Sequence, residues 1–225
     1  MRNSADTDAL VESLSRGVRA VAPVWSPAAA SGTWLILETA FVCALTITIA
    51  PLREGWFEQF TTVPMFTLEM LTGTIAMVLF AVASFRSAVP GLDTRLLTLA
   101  AMAMTGLWLA SFVVGLLTTP ALELGMAGKR DHCVWETFLY ALPPLCVAAI
   151  LTRRRLPLHT KRTAALAGLS AGLAPAVVMQ IACMYEPWHI LVHHVGPAAA
   201  IIAVAVVGTM LVDRYCAGSP RPGQT

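Results

Sequence analysis

The chain has 225 residues, of which 57% are hydrophobic and 12% are charged, and its formal net charge is +2. Several apolar runs are long enough to cross a bilayer, which excludes an ordinary water-soluble globular protein. The composition indicates an all-α integral membrane protein.

The first 32 residues read as a cytoplasmic segment, because they lack the basic start, short apolar core and cleavage site of a secretory signal. Within "DTDALVESLSRGVRAVAPV", the apolar side of a short amphipathic helix comprises Leu10, Val11, Leu14, Val18 and Val21. Such a helix either lies on membrane lipid or docks in a groove on a soluble partner. The residues of this segment leave both interpretations open.

Six runs have spanning length and apolarity: 33–50, 64–85, 96–117, 134–151, 164–182 and 195–212. The N-terminal segment, the even-numbered connections and the tail carry 12 of the 15 basic residues. The positive-inside rule therefore places both termini in the cytoplasm. We expect residues 33–212 to form one six-helix bundle and residues 213–225 to form a disordered tail.

Two carboxyl groups and three thiols lie apart from the loops that carry most of the polar residues. Glu38 and Glu69 fall inside predicted spans, where a carboxyl group is costly, so each is either a proton relay or a hydrogen-bonding group in helix packing. Cys43 and Cys146 are predicted to pack within spans, and Cys216 lies on the reducing inner side.

Two cysteines flank the hairpin formed by the fourth and fifth predicted spans. Cys133 lies one residue before the fourth span and Cys183 one residue after the fifth, so both thiols should sit at a similar depth on the outer side. Neighbouring helix axes lie about 8–10 Å apart, which allows facing cysteines to form a disulfide. A structural disulfide, a redox or metal sensor, and inert thiols all remain open.

Four of the five histidines cluster by sequence at the same outer rim: His132, His189, His193 and His194. His189 and His193 are four residues apart, a spacing that puts two imidazoles on one helical face. Together with Cys133 and Cys183 they would complete a tetrahedral site for a soft metal ion.

Three stretches resemble the NrsF-type membrane anti-sigma factors. They are "TDALVESLSRGVRAVAPV", "AVASFRSAVPG", and the region from "CVWETFLYALPPLCVAAILTRRRLPL" through "ALAGLSAGLAPAVVMQIACMYEP". The order of these stretches, the six-span layout and the placement of the cysteines agree with that family over nearly the whole chain.

The resemblance implies a protein of the bacterial inner membrane that holds an extracytoplasmic-function sigma factor inactive and releases it upon an outer signal. It implies that Cys133 and Cys183 sense heavy-metal or oxidative stress. No cofactor is then required, although a heavy-metal ion would bind the outer cysteines transiently. It also implies a sigma-binding element at Leu10, Val11, Leu14 and Val18. Sigma factor and membrane lipid are then the expected partners, with no direct nucleic acid and no small-molecule substrate.

In one outer segment, this chain departs from the pattern of the family that it otherwise resembles. After the cysteine it reads "CMYEPWHILVHH", in place of a Cys followed by Pro and acidic residues. This departure leaves open a metal site that includes histidine. The main alternative function is a small metal or solute transporter that uses the outer His and Cys residues with Glu38 and Glu69; an enzyme is not expected, because no catalytic motif is present.

Overall fold

The computed structural model describes residues 4–16, 25–92, 94–123, 125–126 and 128–218. Within these ranges the secondary structure is helical. The helices are α1 Ser4–Arg16, α2 Pro27–Ile49, α3 Trp56–Thr62, α4 Pro64–Ser87, α5 Arg95–Leu117, α6 Cys133–Arg153, α7 Thr160–Ala182, α8 Pro187–Ile190 and α9 Gly196–Gly218, with a π-helical turn at Leu191–Val195 between α8 and α9.

Six of these elements are long and apolar enough to cross a membrane, which confirms that prediction: α2, α4, α5, α6, α7 and the continuous unit Pro187–Tyr215. They are referred to below as the first to sixth spans. The chain is therefore a multi-pass membrane protein. Cys133, expected one residue before the fourth span, is instead its first residue.

The first span begins at Pro27, six residues earlier than the sequence pattern suggests. The Ser26 side chain accepts a hydrogen bond from the Ala29 amide at 3.2 Å, and Pro27 occupies the first turn, where its missing N–H costs nothing. The small residues that follow extend the helix toward its first apolar positions. Capping chemistry, rather than hydropathy, sets this boundary.

The fifth span is the central helix. In its most apolar window, 72% of residues are buried, against 17–44% in the other five spans. It packs against the first, second, fourth and sixth spans. A Cβ at Gly172 would lie 2.8 Å from the Ala198 carbonyl oxygen, so the fifth and sixth spans approach each other closely at this glycine.

Alternation of the spans creates two ends. The dithiol end carries Cys133, Cys183 and the end of the first span, and by the charge pattern it is the predicted outer end. The head end carries the start of the first span and the Arg153–His159 connection, and it is the predicted cytoplasmic end.

Candidate functional site

Cys133 and Cys183 are brought together at the dithiol end by the hairpin of the fourth and fifth spans. These antiparallel helices have 21 and 23 residues, so the start of one lies level with the end of the other. Both cysteines are buried and carry free thiols, and their Sγ atoms lie 3.1 Å apart. The pair, called the dithiol below, is within reach of a disulfide or of a shared metal ion.

Two imidazoles complete the surroundings of the dithiol. His189 Nε2 lies 3.4 Å from Cys183 Sγ, and His194 is fully buried beside it. One ligand atom from each of Cys133, Cys183, His189 and His194 lies within 4.8 Å of the other three. Two sulfur and two nitrogen donors form the set that tetrahedral zinc-like ions prefer.

The structure places His194, rather than the predicted His193, in this four-residue group. The reason is the π-helical turn at Leu191–Val195, in which hydrogen bonds span five residues and bring residue i+5 onto the face of residue i. His193 instead stacks on the outside of His189, with ring centroids 4.4 Å apart. Neither ring nitrogen of the buried His194 has a hydrogen-bond partner among the described residues, which fits a group able to coordinate a metal ion.

The surroundings of the dithiol favour a thiolate at Cys183. The hydrogen bond with Cys133 lowers the pKa of Cys183 well below the usual range, and the neighbouring imidazoles lower it further, although burial acts in the opposite direction. The thiolate is the form of cysteine that acts as a nucleophile and binds metal ions. The Cys133 thiol has two acceptors within reach, the Cys183 sulfur and the Arg130 carbonyl oxygen at 3.2 Å.

Two buried arginines place positive charge around the dithiol. Arg130 forms an ion pair with Glu136 at 2.7 Å, and Glu136 also accepts a hydrogen bond from the Tyr140 hydroxyl. Arg53 packs its guanidinium over the rings of Phe66 and Tyr185, 5.5 and 5.8 Å from their centroids, and its burial lowers its pKa. The positive charge of Arg53 favours a thiolate at the dithiol.

A cavity of about 790 Å³ opens beside the dithiol and gives small solutes a route to it. Among the residues that line it are soft or metal-ligating side chains: Met126, Met184, His132, His193 and Cys133. Thioether, imidazole and thiolate groups all bind soft cations. The chemistry of the opening therefore matches that of the four-residue group.

The two intramembrane carboxyl groups do not belong to this group. Glu69 accepts a hydrogen bond from the Tyr185 hydroxyl, which lies 2.9 and 3.0 Å from its two oxygens. Glu38 is buried, and its carboxyl oxygens have no hydrogen-bond partner among the described residues. Among the other cysteines, Cys146 is exposed on the fourth span and Cys43 is half-buried.

The predicted partner-binding stripe lies far along the chain from the dithiol, on α1. Leu10, Val11 and Leu14 are 58%, 59% and 64% exposed, and every described side chain from Thr7 to Arg16 is exposed. Val18, the fourth predicted member, lies outside the described residues. The described part of the stripe is therefore an uncovered apolar surface.

Sequence reasoning placed His194 at the outer rim but chose His193 as the metal ligand, and it did not identify Arg130 as a functional residue. The spacing of four favoured His193, because nothing in the local sequence indicates a π-helical turn. Arg130 had one recognisable signal, since it is one of only three basic residues in the predicted outer connections.

The model of the NrsF family, described as negative regulator of sigma F, matches residues 14–216. The chain belongs to the NrsF family. The match includes both cysteines, all six spans and Leu14, whereas Leu10 and Val11 precede it. No curated protein and no solved structure gives a significant match. Membership makes the protein a negative regulator with a sigma factor as its partner.

Proposed function

We propose that this NrsF-family protein is an anti-sigma factor of the bacterial inner membrane that sequesters an extracytoplasmic-function sigma factor at its head end. It releases the sigma factor when the dithiol binds a heavy-metal ion or is oxidised. The observation that carries the proposal is the buried pair of free thiols 3.1 Å apart, with His189 and His194 beside it.

The apolar stripe on α1 is the proposed docking element. An amphipathic helix with Leu10, Val11 and Leu14 uncovered is suited to a hydrophobic groove on a soluble partner. Arg16 and Glu12 form an exposed ion pair on the same helix, which supports the helical fold without covering the stripe. The basic head end supports a cytoplasmic position for α1, where a sigma factor acts.

Both proposed signals change the bonding of the dithiol. Hydrogen peroxide would take two electrons from the sulfurs, one proton from the remaining thiol and one proton from solvent; the S–S bond would form while the O–O bond breaks to give two water molecules. A divalent ion would instead replace the remaining thiol proton and bridge both sulfurs. A shift from 1:99 to 99:1 needs about 5.5 kcal/mol. A thiolate metal site can exceed that value, whereas a disulfide, worth about 2–4 kcal/mol, would drive a smaller but still substantial shift.

The decisive experiment is a pull-down of the full chain in detergent from its own cells, with mass spectrometry of the bound proteins. We expect a sigma factor with the wild type and at least about tenfold less with Leu10→Asp/Leu14→Asp, because two charges replace the centre of the apolar stripe. Ser13→Asp/Ser15→Asp places the same two charges on the same exposed helix, outside the apolar stripe, and is the matched control. Equal recovery in all three, or no sigma factor with the wild type, would contradict the proposal.

The trigger is tested in the same preparation. Cadmium or hydrogen peroxide should release the sigma factor from the wild type and leave the complex of Cys133→Ser intact. Cys146→Ser, which removes an exposed thiol on the same helix, should respond like the wild type. Release from Cys133→Ser would place the sensor elsewhere.

A further inference from the structure

Arg130 is bonded to three spans at the dithiol end, although it lies in a loop. Its side chain is 4% exposed. Nη1 donates to Glu136 on the fourth span, Nε donates to the Ala182 carbonyl at 3.2 Å at the end of the fifth, and Nη2 reaches carbonyls at the end of the first span. These carbonyl oxygens belong to Thr46, in the last turn of the span, and to Ala50 and Pro51, just after it; they lie 3.0, 2.7 and 3.2 Å from Nη2.

These bonds make Arg130 the C-terminal cap of the first span. The last carbonyls of a helix have no partner within the helix and carry the negative end of its dipole, so a buried cation there stabilises the final turn. The donor lies 79 to 84 residues away along the chain, which is unusual for a helix cap, since most caps are local. The last turn of the first span is therefore held by a distant loop.

The same residue is bonded to the dithiol through its backbone. The Cys133 S–H is shared between the Arg130 carbonyl oxygen at 3.2 Å and the Cys183 sulfur at 3.1 Å. The acceptor of Nε, Ala182, is the neighbour of Cys183 in the chain. One residue thus contacts the segment around each sulfur and the end of the first span. Any displacement of the two sulfurs acts on both attachments of Arg130.

The first span connects the backbone bonded to Arg130 with the N-terminal segment that carries α1, because the two are consecutive in the chain. At its other end, Arg155 donates to the Trp25 carbonyl oxygen at 2.7 Å, and within it the Trp34 indole donates to the Pro144 carbonyl at 3.0 Å. These bonds join the first span to the fourth span and to the connection that follows it. The span is held at both ends by arginines that flank the fourth span.

We propose that Arg130 is the positioning residue that transmits the state of the dithiol to the first span, through the Cys133 thiol bond to its carbonyl and its guanidinium cap on that span. With free thiols, the cap is in place and the first span holds the head in its sigma-binding position. When the thiol donor is lost, the cap loosens and the end of the first span is released.

With this role for Arg130, metal binding and oxidation would have the same effect on the first span. A disulfide and a metal thiolate share a single property at Cys133, the absence of the S–H group. Both products therefore remove the donor to the Arg130 carbonyl, whatever their own geometry. The inference rests on the proposed function for its biological role, whereas its physical content concerns the dithiol and the first span alone.

The test is hydrogen exchange, followed by mass spectrometry, at the last turn of the first span in the full chain in detergent. Cys133→Ala removes the donor, whereas Cys133→Ser keeps a hydroxyl donor that can form neither a disulfide nor a metal thiolate. We expect Cys133→Ala to exchange about fivefold faster than the wild type without any signal, the factor that one hydrogen bond is worth, and Cys133→Ser to match the wild type. A merely structural role for Cys133 would make the two variants alike, and that result would overturn the inference.

Arg130→Gln provides the second arm, with Lys129→Gln as the control of equal charge in the same loop. Cadmium should accelerate exchange in the wild type and in Lys129→Gln. In Arg130→Gln exchange should be fast from the start and unresponsive, although cadmium binding, read from thiolate charge-transfer absorbance, persists. A response in Arg130→Gln would overturn the inference. Because this readout needs no sigma factor, failure of the pull-down would remove the proposed function and leave this result standing.

Discussion

The two ends of the spans hold their arginines in different ways. At the dithiol end, the Arg130 side chain is 4% exposed and bonds to three spans; at the head end, Arg153 is 35% exposed and, within the described ranges, pairs with Asp213 alone at 2.7 Å. An exposed pair contributes little, whereas breaking a buried pair leaves an unpaired charge. The dithiol end is therefore held by buried charged bonds, whereas the Arg153 pair at the head end is partly open to its surroundings.

Removing the buried arginine should have the largest effect. Arg130→Ala leaves Glu136 unpaired and the first span uncapped, so we expect the free energy of unfolding to fall by about 3–5 kcal/mol. Arg153→Ala should lower it by about 0–1 kcal/mol. Unfolding in mixed detergent micelles with increasing SDS measures both values, and equal losses would erase the contrast between the ends.

Loss of a proposed metal ligand should have the next largest effect. His194→Ala removes a buried donor and should weaken cadmium binding by about a hundredfold or more, since even loss of an outer hydrogen-bond partner of a ligand costs 10–100-fold. His193→Ala should change affinity by less than about threefold, because that ring stacks outside the group. Titration by thiolate charge-transfer absorbance measures both, and the reverse ranking would restore His193 as the ligand.

Packing between the fifth and sixth spans should also differ along their length. Gly172→Ala puts a methyl group 2.8 Å from the Ala198 carbonyl, and overpacking of this kind costs about 1–3 kcal/mol. Gly208 has no atom within 4 Å of a built Cβ and lines a cavity of about 220 Å³ toward the head end. Gly208→Ala should therefore leave the free energy of unfolding unchanged or raise it, and a large loss there would contradict the looser packing toward the head end.

The smallest effect is expected on α1. Leu10→Asp should change the free energy of unfolding by less than about 0.5 kcal/mol, because the side chain is 58% exposed. The same variant should retain its cadmium affinity. A clear loss of stability would mean that the stripe packs against this protein itself and is not available to a partner.

The spans were predictable because hydropathy is a local property. A run of about 20 apolar residues needs no knowledge of its neighbours to be read as a helix of spanning length. The start of the first span was missed by six residues, since the Ser26 cap and the small residues after it carry little hydropathy signal. The hairpin also made the approach of Cys133 and Cys183 predictable. Cys133 begins the fourth span and Cys183 follows the end of the fifth, so an antiparallel hairpin brings them to the same level.

The rest of the site depended on distant contacts. A spacing of four suggested His193 as the partner of His189, but the π-helical turn adds a residue to the repeat and turns His194 inward. Arg130 could be read only as a charge in an outer loop, because its acceptors lie up to 84 residues away.

The sequence by itself determined the class of the protein, its six spans and its pair of cysteines at one end, because apolar length, charge distribution and hairpin order are written along the chain. Only the tertiary structure decided which histidine faces the thiols and which arginine caps the first span. Those choices depend on side chains that meet across helices, where burial makes each unpaired polar group costly and so selects its partner.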